Sequence, residues 1–274
     1  KIEKRDAIVA YKSFDENFCC DGFQFKEGKS YHFNGDSGFY ACQKTLDVFK
    51  GAFPSRIARV KLWGDVEYVK GVIFASDIKI DEEVVMDEFI AGINGDEAII
   101  LKGESFYSDC DKECIVRNII SKYGFNSIYS RKDASKIFSI GENDMIVSDN
   151  TSMIYSGGDY ATINSSGFYT RILSIGGNTT INSTGGSCSI ESYGRNAIVV
   201  AIGADNMVKS MTGSWVTLAE WDGENRLKSM KTEYVDGERI KEGIWYRLID
   251  GDFVETKSYI IVNLMLKHKK YLVA

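Results

Sequence analysis

The sequence predicts a parallel β-solenoid set between an N-terminal α+β domain and a small antiparallel β cap. Three columns of residues carry that reading. Ile128, Ile137, Ile146, Ile154, Ile163, Ile172, Ile181, Ile190, Val199, Val208 and Leu218 follow one another at steps of nine residues, with one step of eight and one of ten. Two residues further on, a second column is serine from Ser130 to Ser210 with Ala201 as its exception. Gly141, Gly158, Gly167, Gly176, Gly185, Gly194 and Gly203 form the third. Self-similarity at a fixed short period marks a solenoid, in which a unit unable to bury its own apolar face stacks on its neighbours.

Within a unit such as Ala161-Thr162-Ile163-Asn164-Ser165, small, aliphatic and serine residues alternate with polar ones. That is the two-residue period of a strand with one buried face. The glycine is read as supplying the turn. A nine-residue coil at roughly 3.3 Å per residue leaves no interior for isoleucine, so two units per coil is the reading, with a three-unit triangular prism as the alternative. Two units place Ile163, Ile181 and Val199 on one sheet, facing Ile154, Ile172, Ile190 and Val208 on the other.

The outward ladder of the first sheet then runs Thr162, Asn164, Thr180 and Asn182, followed by Ile198 and Val200. Met207 and Lys209 fall at outward positions of the opposite sheet. Aliphatic surface at one end of a polar ladder marks a contact, so Ile198 and Val200 are the candidate contact surface, either for a second chain or for the cap. The inward serines are expected to let the sheets approach and to hydrogen-bond to one another. Calcium-binding nonapeptides need an acidic ligand at a fixed point of each turn. Here that point reads Asp159, Phe168, Gly177, Gly186, Arg195 and Ala204, so no metal and no cofactor is expected.

Residues 1–126 lack the repeat and read as the α+β domain. Ala7 to Phe14 alternates as a first strand; Gly22 to Phe25 leads into a turn at Glu27-Gly28-Lys29; Tyr31-His32-Phe33 is a further short strand. A helix is expected over Ala41 to Lys50, with Cys42, Leu46 and Phe49 on its apolar face. Strands around Ile57 to Trp63 and Val72 to Ile80 follow, then a helix near Glu83 to Ala91, a strand at Ile99 to Lys102, and an amphipathic helix from Asp109 to Tyr123 placed to cap the solenoid.

The solenoid is assigned to 127–218 and the hairpin cap to 219–256, leaving 257–274 as an apolar and basic tail. Trp215 and Trp221 are expected to cover the last coil, because an open solenoid end exposes strand edges. Asp222-Gly223, Asp236-Gly237 and Asp250-Gly251 separate alternating runs, the local hairpin signal.

With 274 residues, a net charge of -6 and 26% charged residues, the composition is that of a soluble protein with room for two or three modules. The acidic balance argues against nucleic-acid and anionic-membrane partners. The longest apolar run, Tyr259 to Leu266, is too short to span a bilayer, and an intracellular location is expected. Of six cysteines, Cys110 and Cys114 sit four apart but no matching second pair exists, so free thiols are expected rather than a metal site. Cys188 falls in the inward small column with Ala161, Thr170, Thr179 and Ala197.

Ala10-Tyr11-Lys12-Ser13-Phe14-Asp15, Gly22-Phe23-Gln24-Phe25, Gly38-Phe39-Tyr40-Ala41-Cys42 and Leu46-Asp47-Val48-Phe49 resemble the N-terminal domain of an uncharacterised bacterial and prophage family. Glycine-punctuated repeats after that domain, and a closing segment like Trp215 to Trp221 with Val235-Asp236-Gly237-Glu238-Arg239-Ile240-Lys241, are similar too. The large inward isoleucine departs from relatives, which often use smaller residues. The resemblance implies a cytoplasmic protein of a bacterial host and names no activity.

Walker, dinucleotide and His-rich metal motifs are missing from the sequence. The main expectation is therefore a non-enzymatic protein whose solenoid stalk mediates protein–protein or self contact. The alternative is a nucleotide-handling domain that resembles ADP-ribosyltransferases, with Tyr11, Lys12, Tyr31 and His32 lining an N-terminal cleft, one of Glu67, Glu82 or Glu83 as active-centre glutamate, and the solenoid as spacer. A third reading is phage anti-defence, by blocking a host protein or sequestering a small molecule.

Overall fold

The computed structural model describes residues 2–35, 38–49, 54–69, 71–93, 98–101, 106–108, 118–131 and 135–257. The chain divides into two compact units, Lys1–Ile93 and Asn94–Ala274. The first holds an antiparallel sheet. A long hairpin, Arg56–Val69 with Val72–Val84, pairs on one side with Ile8–Phe14 and on the other with Phe39–Cys42 and Ser30–His32. Tyr11 pairs back to Cys42, so the pairings close into a circuit. Inside it Phe14, Phe25, Phe39, Val60, Leu62 and Ile78 form the core.

The expected helix at Ala41 to Lys50 is instead the strand Phe39–Cys42 followed by a 3-10 helix, Thr45–Phe49. Ala41 pairs with Ile73, and that ladder overrides the local helical pattern. The next helix spans Met86–Ala91, because the preceding strand runs on to Val84.

In the second unit the repeat builds two parallel sheets. Sheet I contains Phe106–Ser108, Ser127–Ser130, Met145–Ser148, Thr162–Ser165, Thr180–Ser183, Ile198–Ala201 and Trp215–Trp221. Sheet II contains Ile99–Leu101, Asn118–Ser121, Ser135–Ser139, Ser152–Ser156, Arg171–Ser174, Ser189–Ser192 and Met207–Ser210. Ile163 pairs with Ile181 and Ile181 with Val199, while Ile154, Ile172, Ile190 and Val208 align on the facing sheet. Two units per coil is therefore correct. These aliphatics form one continuous buried column, each burial worth about 1.5–3 kcal/mol.

The solenoid starts earlier than the repeat does, at Ile99 rather than 127. Asn118–Ser121 is a strand in register with Lys136–Ser139, which removes the end of the helix expected over Asp109 to Tyr123; residues 109–117 lie outside those described.

The repeat glycines do not supply positive φ. That conformation falls two residues later, on Tyr160, Tyr169, Asn178, Ser187, Asn196 and Asp205, with φ between 55 and 59°. The glycines serve stacking: a Cβ on Gly194 would lie 1.8 Å from the Gly176 carbonyl oxygen, and one on Gly176 1.9 Å from that of Gly158. Adjacent coils touch there through backbone alone.

The inward serines also differ from expectation. Ser130 and Ser135 do pair, at 2.8 Å, but the hydroxyls of Ser156, Ser165, Ser174, Ser192 and Ser210 are buried with no hydrogen-bond partner among the described residues. Asp144 is the polar centre of the early coils. It accepts from Ser121 Oγ at 2.6 Å, Ser139 Oγ at 2.5 Å and the Asn126 amide at 2.8 Å. Cys188 is buried as expected and donates to the Gly167 carbonyl.

At the C-terminal end each sheet turns antiparallel. Leu227–Tyr234 extends sheet I through Trp215–Trp221, and Trp245–Ile249 with Asp252–Thr256 extends sheet II. Val216, Leu218, Val235, Ile240, Tyr246 and Leu248 close the interior. Trp215 and Trp221 do not cover the last coil; both are exposed on the outer face. Lys228, Lys231 and Glu233 on the final strand of sheet I charge its open edge.

Candidate functional site

The expected N-terminal cleft is not assembled. Tyr11 and Lys12 are neighbours on Ile8–Phe14 and so point to opposite faces. Tyr11 packs edge-on against Phe89, with ring centroids 4.9 Å apart. Lys12 turns inward, is buried, and its Nζ donates to the Tyr40 carbonyl at 3.0 Å while lying 3.6 Å from the Tyr40 ring centroid.

Tyr31 shares the inner side with Lys12, and both contact Phe25. His32 alternates to the other side, where Asp77 and Asn34 occupy its ring nitrogens at 2.8 and 2.7 Å. Of the glutamates, Glu83 is held by Arg56 and Glu82 by Arg59, and these ion pairs span neighbouring strands of the sheet. A cluster missed from the sequence is Cys20 Sγ with Tyr40 Oη at 3.0 Å. Burial first, then Cys20 and Asp21, raise the Tyr40 phenol so that it stays protonated.

The solenoid offers a larger surface. Along sheet I two outward columns run across seven strands in register. One reads Ser127, Met145, Thr162, Thr180, Ile198, Trp215 and Tyr234; the other reads Tyr129, Val147, Asn164, Asn182, Val200, Thr217 and Thr232. Neither column contains a charged residue, in a chain that is 26% charged. Strand alternation fixes these positions outward because Ile146, Ile163, Ile181 and Val199 between them are buried.

Side chains on this face satisfy one another along the ladder. Asn182 Nδ2 donates to Asn164 Oδ1 at 2.9 Å, and Thr217 and Thr232 share a hydrogen bond of 2.9 Å. A shallow groove follows one margin, lined by Val147, Asn164, Asn182, Ser166, Thr184 and Asp149, whose carboxylate pairs with Arg131 at 3.2 Å and places charge at the rim of the face. At the C-terminal end the face becomes apolar. Ile198 is 49% exposed and Trp215 51%, and Trp215 stacks at a tilt on Tyr234 with centroids 5.1 Å apart.

The candidate contact residues thus lie where the sequence put them, with Ile198 exposed and Val200 half-buried. The cap does not cover them; it continues the sheet beside them. Trp215 and Tyr234 were missed as members of this surface, although Trp215 stands 17 residues after Ile198, close to the coil length. On sheet II, Met207 is buried rather than exposed, and Lys209 pairs with Glu191 at 2.7 Å beneath the Trp245 ring.

Among the described residues no group of three or more metal-ligating side chains occurs, and no helix is long and apolar enough to cross a membrane. No curated protein matches the chain, and no solved structure does. Residues 8–92, the closed antiparallel sheet and its helix, match a family described as a domain of unknown function (DUF7666).

Proposed function

We propose that the chain is a non-enzymatic binding protein whose solenoid offers the outer face of sheet I to a protein partner, and that this partner is a second copy of the chain. The observation that carries the reading is the uncharged double column ending in exposed Ile198, Trp215 and Tyr234. Covering these two columns strips water from no ion, whereas burying an unpaired charge is costly. Flat sheets pack face to face about 10 Å apart, and a copy presents the same uncharged surface across a two-fold axis. Nucleic acid or an anionic membrane would find no cation in either column to pair with, and Arg131 at the margin is already paired with Asp149. The motifs of the first domain and of the closing segment support a prophage-borne protein acting in the cytoplasm of a bacterial host.

Sedimentation velocity over a concentration series tests the proposal. The native chain is expected to dimerise, and Ile198→Lys/Trp215→Lys to remain a folded monomer. A native chain that stays monomeric throughout, or a variant that dimerises unchanged, overturns the self-contact.

A further inference from the structure

The corner at which the chain passes from sheet II to sheet I is filled differently from coil to coil. Its buried residue, directly before each sheet I strand, is in turn Asn126, Asp144, Ala161, Thr179, Ala197 and Ser214. Five residues before the first five of these, each sheet II strand ends in a buried serine, and Ser121, Ser139, Ser156, Ser174 and Ser192 stand in register along the stack. At Asp144 the carboxylate joins two rungs of that column. Its Oδ2 accepts from Ser121 Oγ at 2.6 Å and from Ser139 Oγ at 2.5 Å, and its Oδ1 accepts from the Asn126 amide at 2.8 Å. Hydroxyls on neighbouring strands stand about 4.8 Å apart, too far to bond each other, and a single oxygen about 2.8 Å from both subtends about 118°, near the tetrahedral angle. The Asp144 oxygen therefore sits at the natural bridging point.

Ala161 and Ala197 hold the same corner in later coils, as the register of the strands that follow them shows. Each withdraws the carboxylate, a group of the order of one water molecule in size, about 30 Å³. The donors that met it stay. Ser156 and Ser174 are 0% exposed and Ser192 1%, and none of the three hydroxyls has a hydrogen-bond partner among the described residues. The corner amide of the preceding coil loses its acceptor as well. Elsewhere this N–H donates to the side chain one coil on, Ala197 to Ser214 Oγ at 3.2 Å and, on the opposite corner, Cys188 to Asn206 Oδ1 at 2.8 Å. Alanine offers no such oxygen to the amides of Asp144 and Thr179.

We propose that both alanine corners are internal water sites. One ordered water beside Ala161 bonds the Asp144 amide, Ser139 and Ser156; another beside Ala197 bonds the Thr179 amide, Ser174 and Ser192. Buried waters typically make about three hydrogen bonds, and a buried hydroxyl left without any is costly. Charge decides the ligand. The amide N–H repels a cation, and the six buried residues of this corner include no Lys or Arg to balance an anion. A neutral molecule that both donates and accepts suits all three partners. At the corner between the two sites, Thr179 fills the space itself and its hydroxyl donates to the Gly176 carbonyl at 2.8 Å. The sites lie inside the solenoid and are independent of the self-contact proposed for sheet I.

A high-resolution crystal structure of the full chain tests this. Each alanine corner is expected to hold an ordered water about 2.7–3.2 Å from its two serine hydroxyls and its amide. Either corner without water, or with an ion in its place, overturns the proposal. A second measurement needs no crystal. Ala197→Asn puts a side-chain amide where the water is expected, its oxygen towards the Thr179 N–H as Asn206 serves Cys188. That variant is expected to melt within a few degrees of the native chain. Val199→Asn, two residues on and in the aliphatic column, is the reference and is expected to melt far lower, since nothing there meets an amide. An Ala197→Asn chain that loses as much as Val199→Asn, or fails to fold, means that the corner is closed and dry, and overturns the proposal.

Discussion

Gly194 and Gly177 look interchangeable in the sequence, yet they do opposite things in the coil. A methyl group on Gly194 would collide with the Gly176 carbonyl oxygen at 1.8 Å, whereas one on Gly177 meets nothing nearer than 3.6 Å. Neither has positive φ, so the difference is close approach alone. Gly194→Ala should lower stability by about 3 kcal/mol or more, through backbone displacement between coils, and Gly177→Ala should change it by less than about 1 kcal/mol. Chemical denaturation of the two variants checks this. Equal losses would contradict the stacking role. The third sequence column was thus legible as a periodicity but not as a cause, because a one-dimensional repeat does not show which backbone lies 18 residues away. The serines were misread for the same reason: their alternation marks them inward, but hydroxyl pairing depends on the coil geometry that separates Ser174 from any acceptor.

At the scale of elements, the strands of 127–218 were legible because alternation and period agree there. The earlier strands were not: Ile119 pairs with Ile99 and Ile128 with Phe106, offsets of 20 and 22 residues rather than 18, so the rhythm is lost before Asn118. The cap is held differently, by charge as well as packing. Glu220 accepts from Lys228 at 2.7 Å, from the Gly251 amide at 3.0 Å and from Ser229, which tie the two terminal hairpins together. The Lys228 hydrogen bond first, with the backbone amides after it, draws the Glu220 pKa from 4.5 down to about 2. A carboxylate with a depressed folded value stabilises above its ordinary pKa, and that stabilisation is lost as pH falls from 4.5 towards 2. Glu220→Gln should therefore flatten the acid limb of the melting-temperature profile in that window, while at pH 7 the variant melts lower. An unchanged acid limb would contradict the linkage.

For the whole molecule, the solenoid sets sheets I and II back to back, and the first carries the two uncharged outward columns. The first was partly legible: the sequence placed Ile198 and Val200 outward but assigned Trp215 to the solenoid end, because a hairpin continuing a sheet and a plug covering it have the same local pattern. The N-terminal cleft was not legible, since adjacent strand residues such as Tyr11 and Lys12 cannot converge, and it took the pairings of the closed sheet to separate them. The proposed self-contact requires the uncharged columns to meet a second copy, and a lysine at Thr180, in the middle of its ladder, addresses that directly. Thr180 is half-buried and outward, so the side chain can enter without disturbing the core. Sedimentation equilibrium should show self-association of Thr180→Lys weakened at least about tenfold, because the new charge must be desolvated in the contact, with the melting temperature of the dilute monomer unchanged. Association as tight as that of the native chain, in a variant that melts normally, would rule out a contact through this face.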